Sequence, residues 1–274
     1  MTARVRIGIS GWRYPPWRGV FYPEDLRQKD ELPFAASVFN SIELNGSFYA
    51  LQRPVNYTAW AGQTPPGFVF SVKAPRYLTH ILRLKEFEVP LANFLASGLF
   101  ELGDKLGPIL WQFPPTFPFK QERIEPFLAM LPHDMDEAAR IAARHDAKVA
   151  GRASLVPKVS APLRHAMEIR HDSFVDPAFI AMLARYRVAL VCADTVDWPR
   201  LFDLTADYCY CRLHGSEQLY ASGYDDDALD EWAARVVRWA QGGRDVFVYF
   251  DNDAKVRAPF DAQGLQRRVT ALLG

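Results

Sequence analysis

The residues best equipped for chemistry recur at the ends of short apolar runs. They are Glu43 with Asn45, Ser71 with Lys73, Gln112, Glu168 with Arg170, Asp194, Arg212 with His214, and Asp251 with Asn252. Glu43 and Glu168 are the acid–base candidates, because burial and a neighbouring cation tune a carboxylate and a pair can divide the roles of acid and base. Two carboxylates would also suit a glycosidase, where a separation of about 5 to 10 Å sets the stereochemistry. Lys73, Arg76, Arg170 and Arg212 could hold phosphate or carboxylate, and guanidinium forks suit both. A Schiff-base role for Lys73 would need desolvation and a depressed pKa, and ranks below anion binding. His214 is the candidate proton shuttle. Each assignment has a bland counterpart: Glu168 could simply neutralise Arg170, and the cations could simply balance Glu43, Asp194 and Asp251. Tyr220 and Tyr224, in a Gly- and Ser-containing segment after His214, are the most ligand-like aromatics, and that segment is a lid candidate.

Positioning these groups is the task of the elements that carry them. Strand-like runs occupy 5–10, 40–45, 67–73, 108–113, 165–170, 188–193, 208–214 and 245–251, and most precede a segment of helical periodicity. Alternation of this kind is the mark of parallel βα units. Runs such as Val188–Cys192 and Val246–Phe250 are apolar throughout, as strands covered on both faces require. Helices are expected at 31–39, 55–61, 86–106, 121–131, 176–186, 225–241 and 262–273, and the stretch after Val196 is too short for one. Residues 134–160 are basic and mixed and hold too few large apolar side chains for a core, so they read as an insertion before the fifth strand of a single domain spanning 1–274. In a strand, residues two apart share a face, so the polar pairs above would converge at one mouth of a closed barrel.

The same residues carry a resemblance. Ile9-Ser10-Gly11-Trp12 with Tyr14 and Trp17, Phe39-Asn40-Ser41-Ile42-Glu43-Leu44-Asn45, Phe70-Ser71-Val72-Lys73-Ala74-Pro75-Arg76, Gln112-Phe113-Pro114-Pro115, Glu168-Ile169-Arg170-His171, Asp194, Arg212-Leu213-His214-Gly215 and Phe250-Asp251-Asn252-Asp253 resemble the domain of unknown function 72 (YecE-like) family. The blocks span nearly the whole chain in order. The resemblance implies a TIM-type (β/α)8 barrel and no established reaction. Asp251 stands where the family pattern has an Asn, adding a charge to the mouth, and Asp261 replaces another common Asn.

Composition sets the outer bounds. The chain has 274 residues, 49% hydrophobic and 23% charged, with 32 basic and 32 acidic residues. A net charge of zero gives no global field for nucleic acid or membrane, so any anion recognition must be local. Cys192, Cys209 and Cys211 form no C-x-x-C pair and read as small buried hydrophobes. Glycine-rich nucleotide motifs are absent, as are H-x-H and H-E-x-x-H spacings, so no metal ligand is assigned; ligands drawn from separate strands would leave no local signature, and a divalent metal stays open as an unknown cofactor. The opening Met1–Ile9 has no apolar leader, so a cytoplasmic protein without membrane contact is expected. The leading expectation is an enzyme, a hydrolase or lyase, acting on a phosphate-bearing ligand such as a nucleotide or nucleic-acid fragment. A carbohydrate-active hydrolase using both glutamates and a non-catalytic module binding nucleic acid or a metabolite are the alternatives. Oligomeric state is undetermined.

Overall fold

In the computed structural model, which describes residues 3–215 and 218–274, a closed parallel barrel forms in strict chain order. Its strands are β1 (Val5–Ser10), β2 (Ser41–Leu44), β3 (Val69–Lys73), β4 (Leu106–Gln112), β5 (His165–Glu168), β6 (Ala189–Asp194), β7 (Tyr208–Leu213) and β8 (Asp245–Phe250), and β8 closes on β1. The architecture is the TIM (β/α)8 barrel. Eight strands enclose a lumen just wide enough for side chains to fill. Leu110, Ala166, Val191, Tyr208, Tyr210, Phe247 and Tyr249 form an interior cluster there, while a larger apolar core lies between the sheet and the helices. At Gly8 the chains come so close that a Cβ would lie 1.8 Å from the Ser41 carbonyl oxygen, which no other residue could tolerate.

The surrounding layer comprises α1 (Glu31–Val38), α2 (Gly46–Tyr49), α3 (Pro54–Gly62), α4 (Glu88–Leu95), α5 (Gln121–Met130), α6 (Met135–Ala142), α7 (Pro177–Arg185), α8 (Asp226–Gln241) and α9 (Ala258–Leu273). α8 shows why such segments are helical. Asp225 caps it by accepting from the Ala228 amide, Asp226 and Asp227 meet the positive end of its dipole, and Leu229, Trp232, Val236 and Trp239 form its buried stripe.

Two departures from the sequence expectation have local causes. The continuous helix expected over 86–106 is broken after α4, because Gly98 adopts φ 125° and the chain resumes as a 3-10 stretch, Leu99–Lys105. A side chain at 98 would be strained by that backbone and would also meet the Pro54 Cα at 2.6 Å. The β6–β7 connection, 195–207, has no helix, in line with its brevity. The segment 134–160 begins with α6, capped by Asp134, and is tied to the layer beside it: the Ser154 amide donates to Ala96 O at 2.8 Å and Lys158 pairs with Glu101 at 2.7 Å. Cys192, Cys209 and Cys211 are free and buried, and burial pushes the Cys209 thiol up to about 12. Among the described residues no helix is long and apolar enough to cross a membrane. Met1 and Thr2, part of the opening read for a leader, lie outside the described residues, as do 216 and 217 of the lid candidate.

Candidate active site

Strand register decides which polar residues meet. Ser10 pairs with Glu43, Glu43 with Ser71, Gln112 with Glu168, and Ala193 with Arg212, so these positions share the inward parity at the C-terminal ends of their strands. This is the face on which such barrels assemble their chemistry. Arg212 lies at the centre, fully buried. Its Nε donates to both Glu43 oxygens at 3.2 and 3.1 Å, one terminal nitrogen donates to Glu168 at 2.6 Å, and the other reaches Asp251 at 2.8 Å, Glu43 at 2.9 Å and the Ser10 hydroxyl at 3.1 Å. The Ser10 and Tyr210 hydroxyls each donate to Glu43 at 2.6 Å, and Asn45 holds Ser10 in place through a 2.8 Å bond from its amide. Arg170 grips the other Glu168 oxygen, Nε at 2.7 Å, and lays its guanidinium over Trp198 at 4.0 Å.

The electrostatics follow from these contacts. Burial pushes Glu168 up, but Arg170 and then Arg212 outweigh it and hold the carboxyl far below its usual range. Asp251 is held down in the same way, with Arg212 the main counterweight to its burial. His214 is lowered by burial, which Asp251 only partly opposes. Its Nδ1 lies 3.1 Å from Asp251 and its Nε2 3.9 Å from Glu168, yet neither nitrogen has an aligned hydrogen bond, and the ring is wedged edge-on between Trp198 and Tyr220. The cluster is thus a charge-balanced floor.

Above it opens a cavity of about 650 Å³ whose wall includes Trp12, Tyr14, Phe48, Tyr49, Trp60 and Tyr220, with Arg13, Asn45, Gln52, Lys73, Gln112, Asp251 and Asp253 as its polar and charged groups. Asn45 Oδ1 and Gln112 Oε1 are buried without partners among the described residues. Lys73 makes no hydrogen bond or ion pair among the described residues; its Nζ rests 4.4 Å over the Phe48 ring. Burial, then Arg212, lowers Lys73 to about 8 despite Asp251 and Glu43. Asp253 is raised to about 6, by burial first and Asp251 second. Such unsatisfied groups in a concave site mark where a ligand completes the bonding. Glu43, Glu168 and Arg212 lie beneath this surface and reach a ligand only through their neighbours.

Several expected site residues stand elsewhere. Asp194 has the outward parity, since its neighbour Ala193 faces in; it accepts from the Trp232 indole at 2.8 Å and pairs with Arg200 at 3.2 Å, which fastens α8. Asn252, next to inward Asp251, likewise turns out, donating to Asp261 at 2.7 Å and to Ser222 O at 2.9 Å. Asp261 therefore serves as an acceptor, for the Asn252 amide and the Tyr224 backbone N–H. Tyr224 is buried against Phe250 with its hydroxyl accepting from the Gly215 amide, and Arg76 is exposed outside the cavity lining. Arg212 also departs from the anion-holding expectation, because carboxylates and Ser10 already take its donors. Of the ligand-like tyrosines, Tyr220 lines the cavity. Tyr210, Arg13 and Trp60 were overlooked. Tyr210 could have been found from its place two residues before Arg212 on one strand face, whereas Arg13 and Trp60 come from a loop and from the expected helix at 55–61, whose position over the mouth no local pattern reveals.

Among the described residues no group of three or more His, Cys, Asp or Glu is arranged to hold a metal ion; the Arg212 guanidinium stands among three of the mouth carboxylates. A family model for a protein of unknown function, DUF72, matches residues 6–272. The chain belongs to the DUF72 family. A DUF72 relative from Bacillus subtilis (strain 168), the UPF0759 protein YunF, is 24% identical over 286 residues, covering 91% of this chain and 89% of the relative. The UPF0759 protein YecE of Escherichia coli (strain K12) is 27% identical over 140 residues, about half of each chain (50% and 48%). The solved structure of a DUF72 family protein from Thermotoga maritima MSB8 superposes with a TM-score of 0.76 at 25% identity, covering 97% of this chain and 99% of that one. These names state no activity.

Proposed function

We propose that this DUF72 protein is an enzyme, a hydrolase or lyase, that acts on a small phosphate-bearing substrate in the cavity at the C-terminal mouth. The observation that carries the reading is the set of unpartnered polar groups, Lys73 Nζ, Asn45 Oδ1 and Gln112 Oε1, in a cavity whose deeper ions are all neutralised. Leaving buried polar groups unmade costs about 1–3 kcal/mol each, a cost that a bound substrate would remove. The aromatic wall offers stacking for a ring, and Arg13 at the rim supplies a guanidinium for the phosphate. A volume near 650 Å³ favours a nucleotide-sized molecule over a long nucleic-acid strand. Asp253 and Asp251 would divide proton donor from proton acceptor, since their environments push them in opposite directions.

A carbohydrate substrate keeps support from the same aromatic wall, but with the two aspartates replacing Glu43 and Glu168, because Glu168, held ionised by Arg170 and Arg212, cannot protonate a leaving group and Glu43 lies beneath the cavity surface. Calorimetric titration of ribose 5-phosphate against ribose, in the parent protein and in Arg13→Ala, tests the phosphate reading. The phosphorylated sugar should bind at least about tenfold more tightly and lose that margin in the variant. Equal affinities in the parent would refute it.

A further inference from the structure

Lys73 is a puzzle of charge placement. It closes β3 with 8% of its surface exposed, and four carboxylates, Glu43, Glu168, Asp251 and Asp253, lie in the same mouth, yet among the described residues none pairs with it. Glu43, Glu168 and Asp251 are already bound by Arg212, and Glu168 by Arg170 as well. What the ammonium has instead is the face of Phe48, a contact that does not replace an ion pair. The groups facing Lys73 pull in both directions. Arg212 from β7 opposes its charge, while Asp251 after β8, Glu43 of β2 and Glu168 of β5 favour it. His80, in the turn after β3, is itself lowered to about 4 by burial and by Lys73, so it adds no charge near neutrality. Burial decides the balance, and the amine is displaced from 10.5 to about 8. A lysine with an accessible nitrogen, no partner and an apolar flank is equipped to attack an electrophile, because its lone pair is free for part of the time.

The geometry points to Lys73 as a nucleophile that forms an imine with the carbonyl carbon of a small aldehyde or ketone bound in the mouth cavity. This deepens the proposed function and rests on it in one respect, that the cavity is the substrate site. The Nζ lone pair adds to the carbonyl carbon, the C=O π pair moves to oxygen, and a proton passes from nitrogen to oxygen to give the carbinolamine. Protonation of that hydroxyl, for which Asp253 on the same cavity wall is the suited donor, lets water leave as the nitrogen lone pair forms the iminium C=N, and the N–H proton then returns to the Asp253 carboxylate to leave the imine. The net change is amine plus carbonyl to imine plus water, with no oxidant or reductant. Gln112 Oε1, unpartnered on the same wall, is an acceptor for the carbinolamine hydroxyl.

The test traps the imine. The full-length protein is incubated at pH 8 with D-glyceraldehyde 3-phosphate or with D-glyceraldehyde, each with sodium cyanoborohydride, which delivers hydride to C=N and leaves a stable secondary amine. Intact mass and peptide mapping then locate the adduct. At pH 8 about half of Lys73 is free amine, against roughly 0.3% of an ordinary lysine, so Lys73 should be modified on the order of 100-fold faster than exposed Lys85, Lys120 and Lys255. Lys73→Arg, which keeps the charge and should melt at the parent temperature, should lose that fast adduct. Labelling of Lys73 no faster than of the exposed lysines overturns the inference. Equal trapping of both aldehydes sustains the imine and removes the phosphate from the proposed function. Binding of glyceraldehyde 3-phosphate without any adduct on Lys73 sustains the substrate site and overturns the imine, leaving the lysine as an anion contact.

Discussion

Replacing Arg212 with methionine probes the arrangement most directly. The methionine keeps an unbranched stem but removes the guanidinium that bonds Glu43, Glu168, Asp251 and Ser10 in a fully buried setting. Removing one partner of a buried ion pair costs about 3–5 kcal/mol. Here three carboxylates lose a partner, although Glu168 keeps Arg170 and Glu43 keeps Tyr210 and Ser10. A loss of at least about 4 kcal/mol is therefore expected at pH 7, a large part of the roughly 5–15 kcal/mol typical of a folded domain. The pH dependence carries the sharper signature. In the parent, Glu168 and Asp251 are held below their unfolded values, so their contribution is present above about pH 4 and is lost as pH falls further. In the variant the orphaned carboxylates should sit above their unfolded values, so the folded state binds more protons and acid restores stability. Urea unfolding followed by circular dichroism at pH 7 and pH 5 measures both. Adding Glu43→Gln to Arg212→Met should recover about 2 kcal/mol as a coupling energy. A loss under about 1 kcal/mol at pH 7, or an equal loss at the two pH values, would refute the reasoning.

Three further outcomes are expected. Lys73→Met removes a desolvated amine whose folded value lies below its unfolded one; parent stability relative to the variant should rise as pH climbs from about 8 towards 10.5, and denaturant midpoints that track each other across that window would contradict it. Asp253→Asn concerns a carboxyl raised from 3.8 to about 6, which stabilises the fold fully below the lower value and loses that contribution through the upper one, so the variant should gain on the parent in melting temperature at pH 7 relative to pH 4. Asp194→Ala should lower stability by about 1–3 kcal/mol, through the orphaned Trp232 indole and Arg200, while calorimetric affinity for any mouth ligand stays within about twofold; a large affinity loss would return Asp194 to the site.

How much of this was legible beforehand differs by level. Strand β1 and the polar termini of β2, β3, β5 and β7 could be read from alternation, because the two-residue period of a strand is a local property of the chain. The same period held the answer for Asp194 and Asn252. Each directly adjoins an inward position, Ala193 or Asp251, but parity has meaning only once a neighbouring strand such as β7 sets which face is inside. The break at Gly98 was less accessible, since the approach of Pro54 from another helix, which leaves no room for a side chain there, is a contact between distant parts of the chain.

The amino-acid order by itself determined the alternating βα units and the polar strand ends that meet at one mouth, which follow from spacing along one dimension, and its motif blocks carried the resemblance that implied the family and its barrel. What only the tertiary structure decided was the allegiance of each charge. Coulomb and desolvation energies depend on distances between side chains far apart in the chain. In the folded barrel those distances give Arg212 to Glu43, Glu168 and Asp251 and leave the Lys73 amine, on the neighbouring strand to Glu43, facing the cavity without a partner.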